Sequence, residues 1–370
     1  MSSALSHEQK LNLICRPEAC IVIIDYEDCQ PMINAICDVM NRPQVSIESY
    51  DSIYEVHAGA VVAIHPTTPN PDLFHRLRHR LVVIHILNVD PNSERRSFPI
   101  GGERFADYEL LYSRNRIDKH LINDFFCHIS GYIRDANPLK KVESFMLSPK
   151  MITMASKSQT AYLPPPGVDI VEVCLDSVIQ VRDSQEPLFR LTEVEDSLIK
   201  NGNMAAFIRA LARLVYNVRQ TIRLPVLFTA RPRGWRRNKS KLLHNDYLIL
   251  NIILTAIAWG IEYIDIEDSL EPAYKPFILG RKATSRIIYS KHSLFEDTSL
   301  WSSPRLLPAL YELSKFSDAI RLTSTRFIGS MDDGIQEFLD KVRDDPRLVP
   351  LIVCNLKDLV YETIPAHVLS

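Results

Sequence analysis

Five charged or titratable side chains lie at the carboxyl ends of predicted strands, where they could form one site. They are Glu172, Arg231, Glu267, His292 and Arg321. His292, in "YSKHS", is the candidate general acid–base group, because the ordinary pKa of histidine lies near neutrality. Carboxylates and guanidinium groups beside it would bind a polar, charged small molecule. A lone histidine at a strand end is also common as an ordinary hydrogen-bonded residue, so the interpretation of His292 depends on those neighbours.

Arg321 has the most unusual setting of the five. It lies in "SDAIRLTS" (317–324), between Ile320 and Leu322, in a run that predicts a buried strand. A buried guanidinium must be paired or hydrogen-bonded. Arginine stays protonated in proteins and its lone pairs are delocalised, so Arg321 cannot be a nucleophile. It could hold a carboxylate through a bidentate contact.

Two series of strands and helices must position these residues. In the first series, "ACIVIID" (19–25), "GAVVAIH" (59–65) and "RLVVIHIL" (80–87) predict buried strands, with a helix through Met40 and another over 70–80. Alternation of strands and helices is typical of a parallel sheet with helical crossovers. We therefore predict a first α/β domain over residues 1–138.

The second series begins near "VESFMLS" (142–148) and predicts a second domain over residues 139–370. Six further strands follow, over 167–176, 224–231, 261–268, 285–292, 318–323 and 349–355, with helical patterns such as 202–221 and 245–260 between them. Seven strands separated by helices predict a (β/α) barrel of the TIM type. The carboxyl ends of its strands would place the five candidate residues at one mouth.

Composition narrows the possible classes of protein. Of 370 residues, 46% are hydrophobic and 24% charged, and the net charge is −2, which is typical of a soluble globular chain. No apolar run has the length of a membrane span, and "MSSALSHEQK" lacks the layout of a signal peptide. We therefore expect an intracellular protein, cytoplasmic or nuclear, with no membrane contact. Seven cysteines without paired short spacings favour reduced thiols over disulfides or zinc, and we expect no metal and no cofactor.

The motifs of the second series match a known family. "DIVEVCLD", "PVLFTAR", "YIDIED", "IIYSKHS" and "DAIRLT", in this order and spacing, resemble the type I 3-dehydroquinate dehydratases, and the resemblance covers residues from about 142 to 355. It implies a (β/α)₈ barrel and metal-free dehydration of 3-dehydroquinate to 3-dehydroshikimate. It also implies a Schiff base between a lysine and the substrate ketone, with a histidine that moves protons.

Several residues fall on the family's functional positions. His292 falls on the catalytic histidine, and Glu172 and Arg231 fall on a strand-2 glutamate and a substrate-binding arginine. Glu267 lies on the acidic strand 4, where Asp265 also matches. The resemblance therefore implies substrate-binding roles for Glu172, Arg231 and Glu267, and a proton shuttle at His292.

Other positions depart from the family's pattern. Arg321 occupies the place of the Schiff-base lysine, Cys174 replaces an arginine, Trp235 replaces a glutamate, and Ser293 replaces the aspartate that would orient the histidine. A Schiff base needs a neutral amine, which arginine does not supply. The resemblance thus implies a site that can bind, with Arg321 as a further binding residue, but has lost its covalent chemistry. His292 would then be a remnant.

The carboxyl-terminal region departs as well. After "PLIVCN" the family continues with an eighth strand, whereas this chain reads "LKDLVYETIPAHVLS". A barrel without its eighth unit has unpaired edges on its first and last strands. We expect an incomplete barrel, closed either by a partner or by a rearranged tail.

The first series resembles shikimate kinase in its layout, through "IVII", "NRPQVSIES" and "GAVVAIHP". That family carries a glycine-rich phosphate loop with a lysine after its first strand, whereas this chain has "DYEDCQPM" (25–32). Asp25, Glu27 and Asp28 would repel a nucleotide phosphate, so we expect a degenerate P-loop-kinase-like domain that binds no ATP.

The order of the two domains resembles the fungal AROM proteins and the quinate repressors. With catalytic residues missing from both, the repressor lineage is favoured. It implies a regulator of quinate/shikimate pathway transcription that binds a pathway metabolite (quinate, 3-dehydroquinate or shikimate) or a transcriptional activator protein.

Two other functions remain open from the sequence. An active 3-dehydroquinate dehydratase would need a relocated amine, for which Lys291 is the candidate, but successive strand residues point to opposite faces. Nucleic-acid contact could come from "RPRGWRRNKSK" (231–241), which carries six Lys or Arg. We rank it below a solvated loop over the barrel mouth.

Overall fold

A computed structural model of the chain describes part of each domain. The described residues are 21–24, 29–45, 60–64, 82–90, 106–129, 151–154, 170–174, 204–230, 246–268, 270–282, 284–291, 304–324, 333–342, 345, 347–349, 351–355, 360–362 and 364–365. The chain divides into two compact units. The first combines Met1–Asn137 with Leu198–Gln220 and Thr255–Gly260, and the second holds the remaining residues. The boundary at residue 138 stays a prediction.

The first unit is built on a parallel sheet. Its described strands are β1 (Ile21–Ile24), β2 (Gln44–Val45), β3 (Val61–Ile64), β4 (Val82–Asn88) and β5 (Tyr108–Tyr112), in the order β2-β3-β1-β4-β5. All pairs are parallel. The central strand β1 is "IVII", and all four residues are buried. An uninterrupted apolar run is what a strand covered on both faces requires.

Helices α1 (Gln30–Met40) and α2 (Lys119–Ile129) belong to this unit. Pro31 stands in the first turn of α1, where a missing N–H costs nothing, and the helix ends at Asn41 in the left-handed conformation. The Asp118 carboxylate accepts hydrogen bonds from the first backbone N–H groups of α2. These signals explain where α1 begins and ends and where α2 begins.

Gly260 has a backbone conformation that other residues rarely adopt. Its φ is +65°, and a Cβ placed there would lie 3.3 Å from side-chain atoms of Phe125 and Ile129. Its carbonyl accepts a hydrogen bond from Arg219 of α3 (Met204–Ile222) at 2.7 Å. Glycine is therefore needed at this position both for its backbone angle and for its lack of a side chain.

The second unit carries the larger sheet. Its described parallel strands are β6 (Met151–Met154), β7 (Ile170–Cys174), β8 (Val226–Thr229), β9 (Tyr263–Glu267), β10 (Arg286–Lys291), β11 (Ala319–Ser324) and β12 (Leu351–Asn355), adjacent in that order. The described helices after α3 are α4 (Asp246–Ala258), α5 (Lys275–Leu279), α6 (Leu306–Ser314) and α7 (Asp333–Val342). A short 3₁₀ helix, Pro272–Tyr274, precedes α5.

The two faces of this sheet have different neighbours. On one face, Ile320 and Leu322 pack with helix residues such as Leu310 and Phe338. On the other face, Ile170, Leu227, Tyr263, Ile288 and Ala319 pack against one another. Residues two apart on a strand share a face, so Arg321 lies on the same face as Ala319.

The chain's own tail closes the barrel. Strand β13 (Val360–Glu362) pairs antiparallel with β6, and β14 (Ile364–Pro365) pairs antiparallel with β12. One residue separates these two short strands, so their nearest Cα atoms are at most about 7 Å apart. The first and last parallel strands must therefore be neighbours across the tail. Of the two expectations from the sequence, a partner or a rearranged tail, the structure shows the tail, and the unpaired edges are absent at these residues.

An ion cluster stabilises the amino-terminal end of β11. The Asp318 carboxylate accepts hydrogen bonds from the backbone N–H of Ile287 at 2.8 Å and from Lys282 and Arg286 at 2.9 and 3.1 Å. Burial opposes ionisation of this carboxyl, but the N–H and the two cations outweigh it, and the pKa of Asp318 is lowered.

The predicted α/β class with parallel sheets is confirmed, and the strands predicted from apolar runs coincide with β1, β3, β4 and β7–β12. The run 142–148 and the helix over 70–80 lie outside the described residues; the second sheet's first described strand is β6. Strand β5 and helix α2 were not predicted. Within the described parts of the chain, no helix combines the length and the apolar character needed to cross a membrane.

Candidate functional site

A buried polar layer crosses the interior of the barrel. Each member lies two residues further along its strand than a member of the apolar interior cluster, so both layers share a face. The polar layer consists of Glu172, Thr229, Asp265, Ser290 and Arg321. These side chains belong to residues that are at most 1% exposed. The period of two in five adjacent strands therefore produces one contiguous polar layer above an apolar one.

The strongest contact in the polar layer joins Arg321 to Glu172. The two terminal nitrogens of the guanidinium donate to the two carboxylate oxygens, at 2.8 Å (Nη1 to Oε1) and 3.1 Å (Nη2 to Oε2). This parallel arrangement is the bidentate geometry that arginine forms with carboxylates, and it fixes both side chains in direction as well as distance.

A second carboxylate and a hydroxyl complete the arrangement. Asp265 Oδ2 lies 3.2 Å from Arg321 Nη1, and the Thr229 hydroxyl donates to Glu172 Oε1 at 2.6 Å. The same hydroxyl lies 3.3 Å from Asp265 Oδ2. A hydroxyl has one proton to donate, so the shorter contact, to Glu172, is its hydrogen bond. Two carboxylates thus share one guanidinium in the barrel interior.

Glu267 lies next to this layer. It is two residues beyond Asp265 on β9, and its register partner on β10 is Ser290, which in turn pairs with Arg321 on β11. Glu267 is buried, with 9% exposure. The three register partners place a carboxylate, a hydroxyl and a guanidinium side by side on the interior face.

On the other face of β10, a second cluster fixes the segment after β9. The Tyr289 hydroxyl donates to Asp268 Oδ1 at 3.0 Å, and the Lys275 ammonium donates to the Tyr289 hydroxyl. Burial, together with the negative charge of Asp268, raises the pKa of Tyr289 well above its usual range. These contacts hold the residues that follow Glu267 against β10.

Comparison with known proteins identifies the family. The family model described as type I 3-dehydroquinase matches residues 153–359, which is 207 of the 370 residues and more than half of the chain. The chain belongs to the type I 3-dehydroquinase family. The matched segment contains every member of the polar layer.

Similar proteins include much longer chains. The pentafunctional AROM polypeptide of Eremothecium gossypii is 30% identical over 137 residues, and that of Candida glabrata is 29% identical over 141 residues. Each match covers 36% of this chain and 8% of the relative. The match therefore spans a small part of the length of either relative.

Solved structures give weaker likenesses. The dehydroquinate dehydratase and shikimate dehydrogenase of S. pombe AroM has a TM-score of 0.39 and 20% identity, over 59% of this chain and 38% of that one. The 3-dehydroquinate dehydratase of Enterococcus faecalis has a TM-score of 0.35 and 10% identity, over 58% of this chain and 82% of that one. Membership of the family rests on the family model and not on these scores.

The partner of the Arg321 guanidinium differs from the one that the sequence suggested. The sequence suggested that its guanidinium could hold a ligand's carboxylate, but the carboxylate bound there is the protein's own Glu172. Both side chains are fully buried and have no surface exposed to solvent. A ligand carboxylate would have to displace Glu172, which would leave that charge unpaired and buried.

The structure places only some of the predicted site residues. Glu172 and Arg321 are in contact, and Glu267 lies on the same face of the sheet. Arg231 and His292 lie outside the described residues, as do Trp235 and Ser293, so the acid–base role of His292 and the binding role of Arg231 stay predictions. Within the described part of the chain, no group of His, Cys, Asp and Glu side chains could hold a metal ion.

Two further positions bear on the sequence interpretation. Lys291 is in register with Leu322, whose side chain packs on the helix-facing side, whereas Ser290 is in register with Arg321. Lys291 thus occupies the opposite register position from the polar layer. Thr229 was missed as a candidate. The signal available was a hydroxyl residue two positions before Arg231, in the otherwise apolar run "LPVLFTAR".

Proposed function

We propose that this member of the type I 3-dehydroquinase family has no dehydratase activity and acts as a regulator of quinate/shikimate pathway transcription. It would do so by binding a pathway metabolite or a transcriptional activator protein. The observation that carries the loss of activity is the bidentate contact between Arg321 and Glu172 in a fully buried layer. The regulatory role rests on the resemblance of the two-domain chain to the quinate repressors.

The chemical argument concerns the group at position 321. Schiff-base formation needs a neutral amine whose lone pair can attack a ketone, and a guanidinium offers none. Arg321 is held by two carboxylates, which stabilise its charged form. The position that should capture substrate therefore carries a permanent charge that is already paired.

The proposal for the first unit is a kinase-like domain that binds no nucleotide. Support comes from the central position of β1 in a parallel sheet and from α1, which follows it after five residues, since a phosphate loop joins a strand to a helix in this way. The intervening segment contains Asp25, Glu27 and Asp28 and no lysine. Three carboxylates would repel a nucleotide phosphate.

Family membership favours one competing function, an active 3-dehydroquinate dehydratase. The test uses two samples of the full chain with 3-dehydroquinate. In the first, without borohydride, the enone product is followed by absorbance; in the second, borohydride is added and the protein mass is measured. We expect neither product nor adduct. An active member of the family serves as the positive control. Turnover that is lost in His292→Ala, or an adduct on Lys291, would establish the enzyme and overturn the proposal.

Arg321→Lys is the matched variant for this experiment. It puts an amine on the same backbone position while keeping a positive charge beside Glu172 and Asp265. A borohydride adduct in Arg321→Lys but not in the natural chain would assign the missing chemistry to this one residue. An adduct of equal yield in both proteins would show that the amine comes from elsewhere.

Binding is tested separately by thermal unfolding with quinate, 3-dehydroquinate and shikimate. A ligand that binds only the folded chain raises Tm as its concentration rises. Because Arg321 already holds a carboxylate, a rise for any of the three acids should come from a site that does not use this guanidinium, and should persist in Arg321→Lys, which keeps the positive charge beside Glu172. If no acid raises Tm, the metabolite branch of the proposal is wrong, and binding to an activator protein is the branch left to measure.

A further inference from the structure

The eighth position of the barrel is filled in an unusual way. Seven described strands, β6 to β12, run parallel, and the tail Val360–Pro365 runs antiparallel between the first and the last of them. It forms three register pairs with β6 and two with β12. A single short segment thus covers both of the edges that an incomplete barrel would expose.

The space that the tail occupies has the width of one strand. Neighbouring strands lie about 4.8 Å apart, so β6 and β12 are separated by roughly 10 Å with one strand between them. We call this space the strand slot and define it by the facing edges of Met151–Met154 and Leu351–Asn355. Its walls are backbone N–H and C=O groups, which need an extended chain as their partner.

The backbone pairing between the tail and β12, one wall of the strand slot, is short. Pro365, the register partner of Ile352, has no N–H to donate, and the pairing with β12 is only two residues long. Four residues, 356–359, separate the last parallel strand from the tail along the chain. A short ladder with a proline at its end is easier to displace than the long parallel ladders of the sheet.

We propose that the strand slot is a binding site for an extended segment of a partner protein, and that Val360–Pro365 occupies it as a competing strand of the same chain. The segment "VYETIP" shows the chemistry the slot accepts: an extended run of β-branched and aromatic residues with a single charge. Addition of such a segment to a sheet edge is an established mode of peptide recognition. The inference does not depend on whether the chain dehydrates 3-dehydroquinate.

The tail competes with an added peptide for the strand slot, and the size of this competition can be estimated. A tethered strand on a short linker has an effective concentration of the order of millimolar. For a peptide that binds the empty slot at about 10 μM, a tail at about 1 mM weakens the apparent affinity roughly 100-fold. Removing the tail should therefore expose a site that the full chain masks.

The experiment uses a fluorescent peptide with the sequence of residues 358–367, titrated against the full chain and against a chain that ends at Lys357. We expect at least tenfold tighter binding to the shortened chain. A peptide carrying Tyr361→Pro is the matched control, because proline removes one donor from the middle of the strand, and it should bind at least tenfold more weakly. A folded shortened chain that binds the natural and control peptides equally would overturn the proposal.

A full-length variant covers the case in which the shortened chain does not fold. Met151 and Glu362 are register partners, so Met151→Cys with Glu362→Cys allows a disulfide that locks the tail in the slot. We expect the reduced form to bind the peptide with the roughly 100-fold weakened affinity that a competing tail allows, and the oxidised form not to bind it. Equal binding by both forms would overturn the proposal. A dimer of the full chain that oxidation prevents would also overturn it, because the slot's occupant would then be a second copy of this chain.

Discussion

Replacing Arg321 by methionine should strongly destabilise the second unit. Methionine keeps the length of the side chain but lacks the guanidinium that pairs with Glu172 and Asp265. Two buried carboxylates are then left without their cation. Breaking a buried ion pair by deleting one partner typically costs about 3–5 kcal/mol. With two carboxylates on one guanidinium and no exposure to water, we expect a loss near the upper end of that range.

The measurement must report on the barrel alone, because a chain with two compact units need not unfold in a single two-state transition. Hydrogen exchange of peptides from β7 and β11, measured over a range of urea concentrations, gives the free energy of opening at these strands. Arg347→Met is the matched control. Arg347 also forms two contacts with one carboxylate, that of Asp345, but its side chain is 68% exposed, and we expect a much smaller loss.

A double-mutant cycle tests whether the loss comes from the pair itself. Glu172→Gln removes one charge and keeps the shape, so Arg321→Met combined with Glu172→Gln should be less destabilised than the sum of the single losses. Recovery should be partial, because Asp265 stays charged in the same layer. A loss below about 1 kcal/mol for Arg321→Met, or strict additivity in the cycle, would contradict the assignment of a tightly coupled buried pair.

Three further predictions concern single contacts. Thr229→Val removes the hydroxyl that donates to Glu172 and should cost about 1.5–3 kcal/mol in urea unfolding; an unchanged midpoint would show that this hydrogen bond contributes nothing. Asp318 has a lowered pKa when folded, so its contribution is present above its unfolded pKa of about 3.9 and is lost as pH falls below it. Asp318→Asn should therefore be less stable than the natural chain at pH 7, with the gap narrowing towards pH 2, and a gap that does not depend on pH would exclude this linkage. Gly260→Ala should cost about 1 kcal/mol or more in the first unit, because of its positive φ and its contact with Phe125, and a neutral result in thermal unfolding would show that the backbone relaxes.

Much of the fold was accessible from local sequence patterns. The runs "IVII" and "VLF" are apolar because both faces of a covered parallel strand are buried, and they lie in β1 and β8. Strand β5 was missed because "YELLY" carries a glutamate that interrupts the apolar run. The carboxylate of Glu109 accepts a hydrogen bond from the Trp259 indole at 2.8 Å, a contact across 150 residues that no local pattern shows.

The candidate site likewise has features that the sequence indicates and features that only the tertiary structure decides. The sequence alone indicated that position 321 holds a guanidinium in a buried strand. No Schiff base can form there, because arginine stays protonated whatever its surroundings in a protein. Which group would pair with that charge was not decided locally. Arg321 and Glu172 are 149 residues apart and meet only because the strands between them are adjacent and in register.

The closure of the barrel was decided by the tertiary structure alone. The sequence predicted an incomplete barrel and left two ways to cover its edges, a partner or a rearranged tail. The β-branched and aromatic residues of "VYETIP" favour an extended conformation, but backbone hydrogen bonding is largely independent of side-chain identity, so they do not show which strands the segment pairs with or in which direction. Only the positions of β6 and β12, brought together by the curvature of the whole sheet, define a space into which that segment fits.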